Sequence, residues 1–337
     1  MNQSMEIARF HDLYHRVIAE IGKDIVGQKD VVEHIVIALI AGGNVLLEGV
    51  PGTGKTRLVR AIGKALSLSF SRIQFLPDLM PADVTGTTVM ERDSEGSAHY
   101  RFQPGPVFSQ IILADEINRA TPKTQSALLE VMQEHMVSVD GRDYPMQEPF
   151  FVLATQNPVE QEGTYTLPEA QIDRFLFKLD MAFPEEEELR AIVTMTQKTE
   201  SLRAEAVLDG ETLLQMRALA GETLIADDVM TFVLRLVGAT HPESSRSSET
   251  ARKYLRMGAS PRAAQALVTA AKVRALTRGV YNVSYEDVRE LAYPVLRHRI
   301  RLNYEAVADQ MTADALIGTL LEELSAKTAG GFRRKER

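Results

Sequence analysis

Residues 45–56 read VLLEGVPGTGKT, and this stretch decides the fold. It begins with a short apolar run, passes through a glycine-rich turn and continues into the helical pattern of Lys55 to Leu66. Residues 49–56 satisfy the G-x-x-x-x-G-K-[ST] pattern, in which backbone N–H groups cradle phosphate oxygens at the positive end of a helix. The order strand, loop, helix predicts a phosphate-binding loop at one edge of an α/β sheet.

The side chains of this loop suit a nucleotide with its metal ion. Lys55 is expected to reach the β and γ phosphates, and Thr56 offers a hydroxyl to a Mg²⁺ ion that bridges them. The glycines at 49, 52 and 54 are expected to let the backbone turn tightly with its N–H groups inward. We therefore expect nucleotide contacts along the whole loop, from Gly49, Val50, Pro51, Gly52, Thr53, Gly54, Lys55 and Thr56.

A second element carries two acids. The apolar run from Ile111 to Ala114 leads into Asp115 and Glu116, so both carboxylates follow directly after a predicted buried strand. Ligands of such sheets bind at the carboxyl ends of the strands, the edge that also carries the phosphate loop. Asp115 fits a Mg²⁺ ligand, directly or through water, and Glu116 fits the residue that polarises the attacking water. Taken alone, an Asp-Glu pair is also typical of a solvated turn.

Five short apolar runs predict the core. Together with residues 45–47, the runs at 70–75, 110–114, 150–154 and 175–179 indicate an α/β fold with a five-stranded parallel sheet between helical layers, an αβα sandwich. Two insertions favour β-hairpins, one from residues 87–92 with 99–102 and one from 137–139 with 142–144 around Asp140-Gly141.

The pattern changes after Phe183, where helical periodicity replaces short apolar runs. We predict a nucleotide-binding α/β domain at 1–183, a linker with the first helix of the next domain at 184–203, an all-helical domain at 204–330 and a flexible tail at 331–337.

Composition excludes several classes of protein. The chain has 337 residues, of which 45% are hydrophobic and 25% charged, as expected for a folded protein rather than a disordered one. It contains no cysteine, so disulfides and thiolate chemistry are excluded. A net charge of −8 disfavours broad nucleic-acid affinity. No leader pattern or membrane-length apolar segment is evident, and we expect a cytoplasmic location.

Longer strings make the sequence similar to the MoxR family of AAA-plus ATPases. Besides GVPGTGKT, they are LADEINRATPKTQSALLEVMQE from residue 113, ATQNPVEQEGTYTLPEAQIDRFLFKLD from residue 154 and GASPRAAQAL from residue 258. The resemblance implies a C-terminal helical lid, hydrolysis of ATP to ADP and phosphate, and assembly into a ring, expected to be a hexamer. It also implies a chaperone-like motor that remodels or matures partner proteins, in metal insertion or in complexes with von Willebrand factor A domain proteins.

The resemblance assigns roles to further residues. Asn157 corresponds to the sensor of the γ phosphate or the attacking water, although Asn-Pro is also a common turn. Arg174 corresponds to the arginine finger that reaches a neighbouring subunit's nucleotide, with an Asp-Arg surface pair as the alternative. Arg119 is a weaker candidate for the same interface. Residues 26–28, Val26, Gly27 and Gln28, correspond to the segment that lines the adenine pocket.

Arg262 also has a local peculiarity. Ser260 and Pro261 are typical of an N-cap and first helical position, so Arg262 is a cation in a first turn, against the helix dipole. An anion is expected nearby, and the resemblance assigns this residue as a second sensor of the nucleotide phosphates. An acidic neighbour is the alternative.

Three other functions are considered. The chain could be a magnesium-chelatase-like motor subunit, a nucleic-acid-dependent motor that uses the hairpins, or a nucleotide-gated scaffold that binds ATP without much hydrolysis. The acidic charge argues against the nucleic-acid motor, and the presence of Glu116 and Arg174 argues against the scaffold.

Overall fold

A computed structural model describes residues 3–50, 52–92, 98–157, 163–198 and 201–332. The chain divides into two compact units. The sheet unit comprises Asp12–Phe175 and Leu179–Met216, and the helical unit comprises the described residues of Met1–His11, Leu176–Lys178 and Arg217–Arg337. The domain boundaries expected at residues 183 and 203 stay predictions. The expected tail lies outside the described residues from residue 333 onward.

Strands and helices alternate through the first two thirds of the chain. The strands are β1 (Val45–Gly49), β2 (Phe70–Gln74), β3 (Gly86–Arg92), β4 (Ala98–Pro104), β5 (Ile111–Asp115), β6 (Met136–Val139), β7 (Arg142–Pro145), β8 (Phe151–Gln156) and β9 (Phe177–Met181). The helices are α1 (Gln3–Gly22), α2 (Lys29–Ala41), α3 (Lys55–Ala65), α4 (Pro81–Thr85), α5 (Pro122–Glu134), α6 (Glu169–Ile172), α7 (Glu186–Lys198) and α8 (Gly210–Glu222).

The predicted five-stranded parallel sheet is confirmed, with strand order β2-β5-β8-β1-β9. All residues of β5 are buried, because this strand lies inside the sheet and packs on both faces. Gln74 is the register partner of Asp115 between β2 and β5, and Glu48 is the partner of Gln156 between β1 and β8. The carboxyl ends of β1, β2, β5 and β8 therefore meet at one edge, which is where the phosphate loop begins.

Both predicted hairpins are present as antiparallel pairs, β3 with β4 and β6 with β7. Asp140 and Gly141 have φ angles of 52° and 74°, which suit a tight two-residue turn. The turn of the first hairpin, residues 93–97, lies outside the described residues. The hairpins contact each other, since Phe102 stacks on Tyr144 with ring centroids 4.1 Å apart.

The helical unit is mainly helical, which agrees with the predicted helical domain, but it is not all-helical, because it also contains two short strand ladders. Its remaining elements are α9 (Asp227–Ala239), α10 (Glu249–Tyr254), α11 (Pro261–Thr277), α12 (Tyr285–Leu296), α13 (Tyr304–Ala308) and α14 (Ala313–Phe332). Two short ladders join them, β10 (Leu224–Ile225) with β12 (Asn282–Val283) and β11 (Leu255–Met257) with β13 (Arg301–Leu302). Strands of this length are too short for an alternating pattern to predict them. Within the described ranges, no helix is both long and apolar enough to cross a bilayer.

Candidate nucleotide-binding site

The loop between β1 and α3 has the backbone that an anion site needs. Gly52 and Gly54 have φ angles of 84° and 88°, which residues with a Cβ rarely adopt, and Gly54 is the N-cap of α3. Gly49 differs from the expectation, because it lies in β1 and contacts β9. A Cβ at Gly49 would lie 3.0 Å from Met181 Cβ, so this glycine permits close strand packing rather than a turn. Pro51 lies outside the described residues.

Lys55 is a buried cation at the first position of α3. Its side-chain Nζ donates to the carbonyl oxygen of Gly49 at 2.8 Å, and the residue is 9% exposed. Burial lowers the pKa of Lys55, while the charges of Asp115 and Glu116 act in the opposite direction. An ammonium group that has lost much of its water at a helix N-terminus is well suited to accept a phosphate anion as its partner.

Both oxygens of the Asp115 carboxylate accept hydrogen bonds. Thr155 Oγ1 donates to Oδ1 at 2.6 Å, while Arg72 donates to Oδ2 from Nε at 3.1 Å and from Nη2 at 2.6 Å. Thr155 is fully buried and lies on the neighbouring strand β8. The carboxylate is thus held between β8 on one side and β2 on the other.

Glu116 has an unusual backbone. Its φ and ψ of 56° and 49° are left-handed, which is uncommon for a residue with a side chain and typical of strained positions at functional sites. The backbone N–H of Glu116 donates to Thr155 Oγ1 at 2.8 Å. Its Oε2 accepts from Gln74 Nε2 at 3.1 Å and from Arg119 Nη1 at 2.9 Å. One threonine hydroxyl therefore contacts both acids.

The other expected phosphate and water contacts lie at the same edge. Asn157 directly follows β8 and is 5% exposed. Thr56 is half-buried in the first turn of α3, and Thr53 Oγ1 donates to the carbonyl oxygen of Val50 at 3.0 Å. The structure thus places Lys55, Thr56, Asp115, Glu116 and Asn157 at one edge of the sheet.

The expected adenine segment forms the loop between α1 and α2. Gly27 has a φ of 78°, and a Cβ there would overlap the side chain of Glu188. Gln28 is buried, and its Nε2 donates to the carbonyl oxygen of Ala182 at 3.2 Å. Val26 is half-buried. This loop therefore packs against the chain that follows β9.

The three arginines that the resemblance assigns to the subunit interface and the second sensor have different surroundings. Arg174 is half-buried against α5, where its Nη1 donates to the carbonyl oxygen of Leu129 at 3.1 Å. Arg119 pairs with Glu116 of the same chain at 2.9 Å. Arg262 is exposed in the first turn of α11 in the helical unit, and Ser260 caps that turn as expected, accepting from the Arg262 N–H at 3.2 Å. The sensor and finger roles of these residues stay predictions.

Sequence reasoning missed Arg72, Gln74 and Thr155. Arg72 and Gln74 are two of the three polar residues of β2, and they lie two positions apart and therefore on one face of the strand. Two polar side chains on one face at the end of a strand were a usable signal of a site at this edge of the sheet, although not of which acids they contact. Thr155 gave a weaker one, because a threonine within a buried strand is ordinary.

Comparison with known proteins gives consistent matches. A family model described as "ATPase family associated with various cellular activities (AAA)" matches residues 44–177, and an AAA lid domain model matches residues 247–320. The chaperone MoxR1 of Mycobacterium tuberculosis is 42% identical over 318 residues, covering 94% of this chain and 83% of that protein. Protein MoxR of Methylorubrum extorquens is 32% identical, with 94% and 96% covered. A crystal structure of a protein assigned as an ATPase, from Cytophaga hutchinsonii, has a TM-score of 0.87 at 39% identity, with 94% and 96% covered.

Proposed function

The chain belongs to the MoxR family of AAA-plus ATPases, and from this membership we propose that it hydrolyses ATP to ADP and phosphate as a ring-forming, chaperone-like motor. One observation carries the proposal. Lys55 is buried at the first position of α3 and donates to Gly49, and Asp115 and Glu116 lie at the end of β5, where their charges oppose the lowering of the Lys55 pKa by burial. A cation and two acids at this edge are the groups that phosphoryl transfer needs.

The residues present fit a magnesium nucleotide. Loop N–H groups and Lys55 would bind the phosphates, and Thr56 and Asp115 would hold the ion. Across the described residues, no three His, Asp or Glu side chains are grouped to hold a metal by themselves, so further ligands would come from phosphate and water. When bound, Mg²⁺ neutralises charge that develops on the phosphate oxygens.

Glu116 is our candidate for the group that activates water. Its bonds from Gln74 and Arg119 both fall on Oε2, so we assign Oε1 to the attacking water. The left-handed backbone of Glu116 aims this side chain differently from that of Asp115, which lets neighbouring acids have different roles. The Asn157 amide would orient the water, because an amide can both donate and accept hydrogen bonds.

Assembly and clients follow from the family resemblance. Arg174 would complete the neighbouring subunit's site in a hexameric ring, and Arg262 would contact the nucleotide phosphates from the lid. Hydrolysis would then drive remodelling or maturation of a protein client, with von Willebrand factor A domain proteins as candidate partners. A cytoplasmic location remains a prediction from the sequence.

The variant Glu116→Gln tests the hydrolytic role. It should bind ATP like the wild type and lose at least about 100-fold in turnover, because an amide cannot accept the proton from water. Phosphate release and binding of a fluorescent ATP analogue measure the two quantities. Lys55→Ala is the control that should lose both. Equal turnover in Glu116→Gln and the wild type would remove this role from Glu116, and failure of the wild type to bind ATP with Mg²⁺ would end the proposal.

Mixed rings test the role of Arg174. Arg174→Ala alone should retain ATP and lose about 10³-fold in hydrolysis, because the transition-state charge loses its cation. Mixing it with Lys55→Ala subunits, which keep Arg174 but bind no nucleotide, should restore part of the activity. Absence of rescue in rings shown by mass spectrometry to contain both variants would contradict action between subunits.

A further inference from the structure

Arg72 occupies the carboxylate that we assign to the metal ion. Its guanidinium donates twice to Asp115 Oδ2, from Nε at 3.1 Å and from Nη2 at 2.6 Å. Oδ1 accepts from the buried Thr155 hydroxyl, which lies inside the sheet. Oδ2 is therefore the oxygen held by Arg72, a side chain that is itself partly exposed.

The two ends of this ion pair differ in exposure. The side chain of Asp115 is 12% exposed, whereas that of Arg72 is 46% exposed. Arg72 lies on β2, an edge strand of the sheet, so its head group can leave the carboxylate and enter water without disturbing the core. Asp115 cannot move in the same way, because Thr155 and its own buried strand hold it.

Gln74 links Arg72 to the second acid. Its Oε1 accepts from Arg72 Nη2 at 2.5 Å, and its Nε2 donates to Glu116 Oε2 at 3.1 Å. The amide can make both bonds in only one orientation, because its oxygen accepts and its nitrogen donates. Arg72, Gln74 and the two acids thus form one connected set.

We propose that Arg72 is a displaceable occupant of Asp115, which it must release before this carboxylate can serve a divalent ion. This inference rests on the proposed function, because it concerns the metal that accompanies ATP. Arg72 and the ion compete for one oxygen, and two cations in that position would repel each other strongly in a site partly shielded from water. When Arg72 leaves, Gln74 Oε1 loses the hydrogen bond that fixes its amide. The bond from Gln74 Nε2 to Glu116 is then held less firmly.

Metal affinity of the nucleotide complex tests the proposal. The full-length protein is saturated with a non-hydrolysable ATP analogue and titrated with Mn²⁺, and bound Mn²⁺ is measured by electron paramagnetic resonance. The variants are Arg72→Gln, which removes the charge, and Arg72→Lys, which keeps it but cannot pair through two nitrogens. Arg101→Gln is the matched control, because Arg101 pairs with Glu91 at 3.0 Å on the β3–β4 hairpin.

Loss of a competing pair should lower the half-saturating Mn²⁺ concentration about fivefold in Arg72→Gln and about twofold in Arg72→Lys. Arg101→Gln should equal the wild type. An unchanged or higher half-saturating concentration in Arg72→Gln would overturn the proposal. A loss of more than about tenfold in nucleotide affinity at saturating Mn²⁺ would also overturn it, since Arg72 would then bind phosphate itself.

Binding of the ATP analogue and Mn²⁺ by the wild type shows whether a negative result concerns Arg72 alone or the proposed ATPase function. If it binds the analogue and Mn²⁺ but Arg72→Gln shows no shift, only the role of Arg72 fails. If the wild type binds no nucleotide, the proposed function fails and the role of Arg72 fails with it.

Discussion

The sheet unit holds two buried aspartates that each pair with an arginine, and they differ in what surrounds the pair. Asp24 is 1% exposed and receives Arg57 Nη2 at 2.6 Å on Oδ1. Its Oδ2 accepts from the backbone N–H groups of Arg203 and Ala204, at 2.9 and 2.8 Å. Asp24 thus fastens residues 203–204 to the start of α3.

Asp115 is also buried and paired with an arginine, but its hydrogen-bond partners are of a different kind. Its hydrogen-bond donors are side chains, Arg72 and Thr155, rather than backbone groups. Arg57 is 22% exposed beside Asp24, whereas Arg72 is 46% exposed beside Asp115. The charge of Asp115 also acts on the pKa of the buried Lys55 ammonium, against the effect of burial.

The difference separates a structural ion pair from one that can exchange partners. Backbone donors cannot leave Asp24 without moving the chain, so that carboxylate has a fixed environment. A half-exposed arginine can leave Asp115 at small cost, because it regains water when it does. Burial alone therefore does not tell a structural aspartate from one in a binding site. In these two pairs the difference lies in the hydrogen-bond donors, which include backbone N–H groups at Asp24 and are side chains at Asp115.

The largest expected effect is on stability. Asp24→Asn should lower the free energy of unfolding by about 3 kcal/mol, because an amide has one acceptor oxygen and cannot serve Arg57 and two backbone N–H groups. Asp115→Asn should cost less than about 1 kcal/mol, because Arg72 can turn to solvent. Urea denaturation of both variants measures the two quantities.

Metal-dependent ATP binding should be affected more in Asp115→Asn than in Asp24→Asn, the reverse of the order expected for stability. Asp24→Asn should bind ATP within about twofold of the wild type below its unfolding range, and Asp115→Asn should lose the Mg²⁺ dependence of that binding. Equal losses of stability in both variants would contradict the distinction between the pairs.

A smaller effect is expected at Thr155, which contacts both acids. Thr155→Val keeps the shape and removes the hydroxyl, so turnover should fall about tenfold while ATP affinity stays within about threefold. Thr155→Ser keeps the hydroxyl and should recover most of the turnover. Steady-state ATPase assays measure the turnover, and binding of a fluorescent ATP analogue measures the affinity. If valine and serine behave alike, the hydroxyl does not position the acids and Thr155 only fills space.

The smallest expected effect is a pH dependence of the stability that Asp24 contributes. Burial raises the pKa of Asp24, but the N–H groups of Ala204 and Arg203 and the Arg57 side chain lower it more, so the folded pKa lies below the ordinary 3.8. The contribution of Asp24 is therefore complete at neutral pH and is lost as the pH falls through the folded pKa. The stability difference between the wild type and Asp24→Asn should be constant from about pH 7 to about pH 5 and shrink below about pH 4. A difference that already shrinks above about pH 5 would contradict this assignment.

Much of the core was predictable because its signals are local. The apolar run before the phosphate loop, the helix from Lys55 and the turn at Asp140-Gly141 each depend on residues that are close in the chain. The short ladders of the helical unit were not predictable, because pairs such as Leu224 with Asn282 join distant segments of two or three residues. The role of Gly49 was misjudged for the same reason, since its neighbour Met181 is remote in sequence.

The sequence by itself determined the phosphate loop, the paired acids after β5 and the parallel sheet that carries them, because glycine freedom, strand periodicity and residue order act locally. Only the tertiary structure decided which groups hold those acids. Arg72 is 43 residues from Asp115, and Thr155 is 40 residues from it. Strand order brings β2 and β8 to either side of β5, and no local pattern encodes which strands become neighbours.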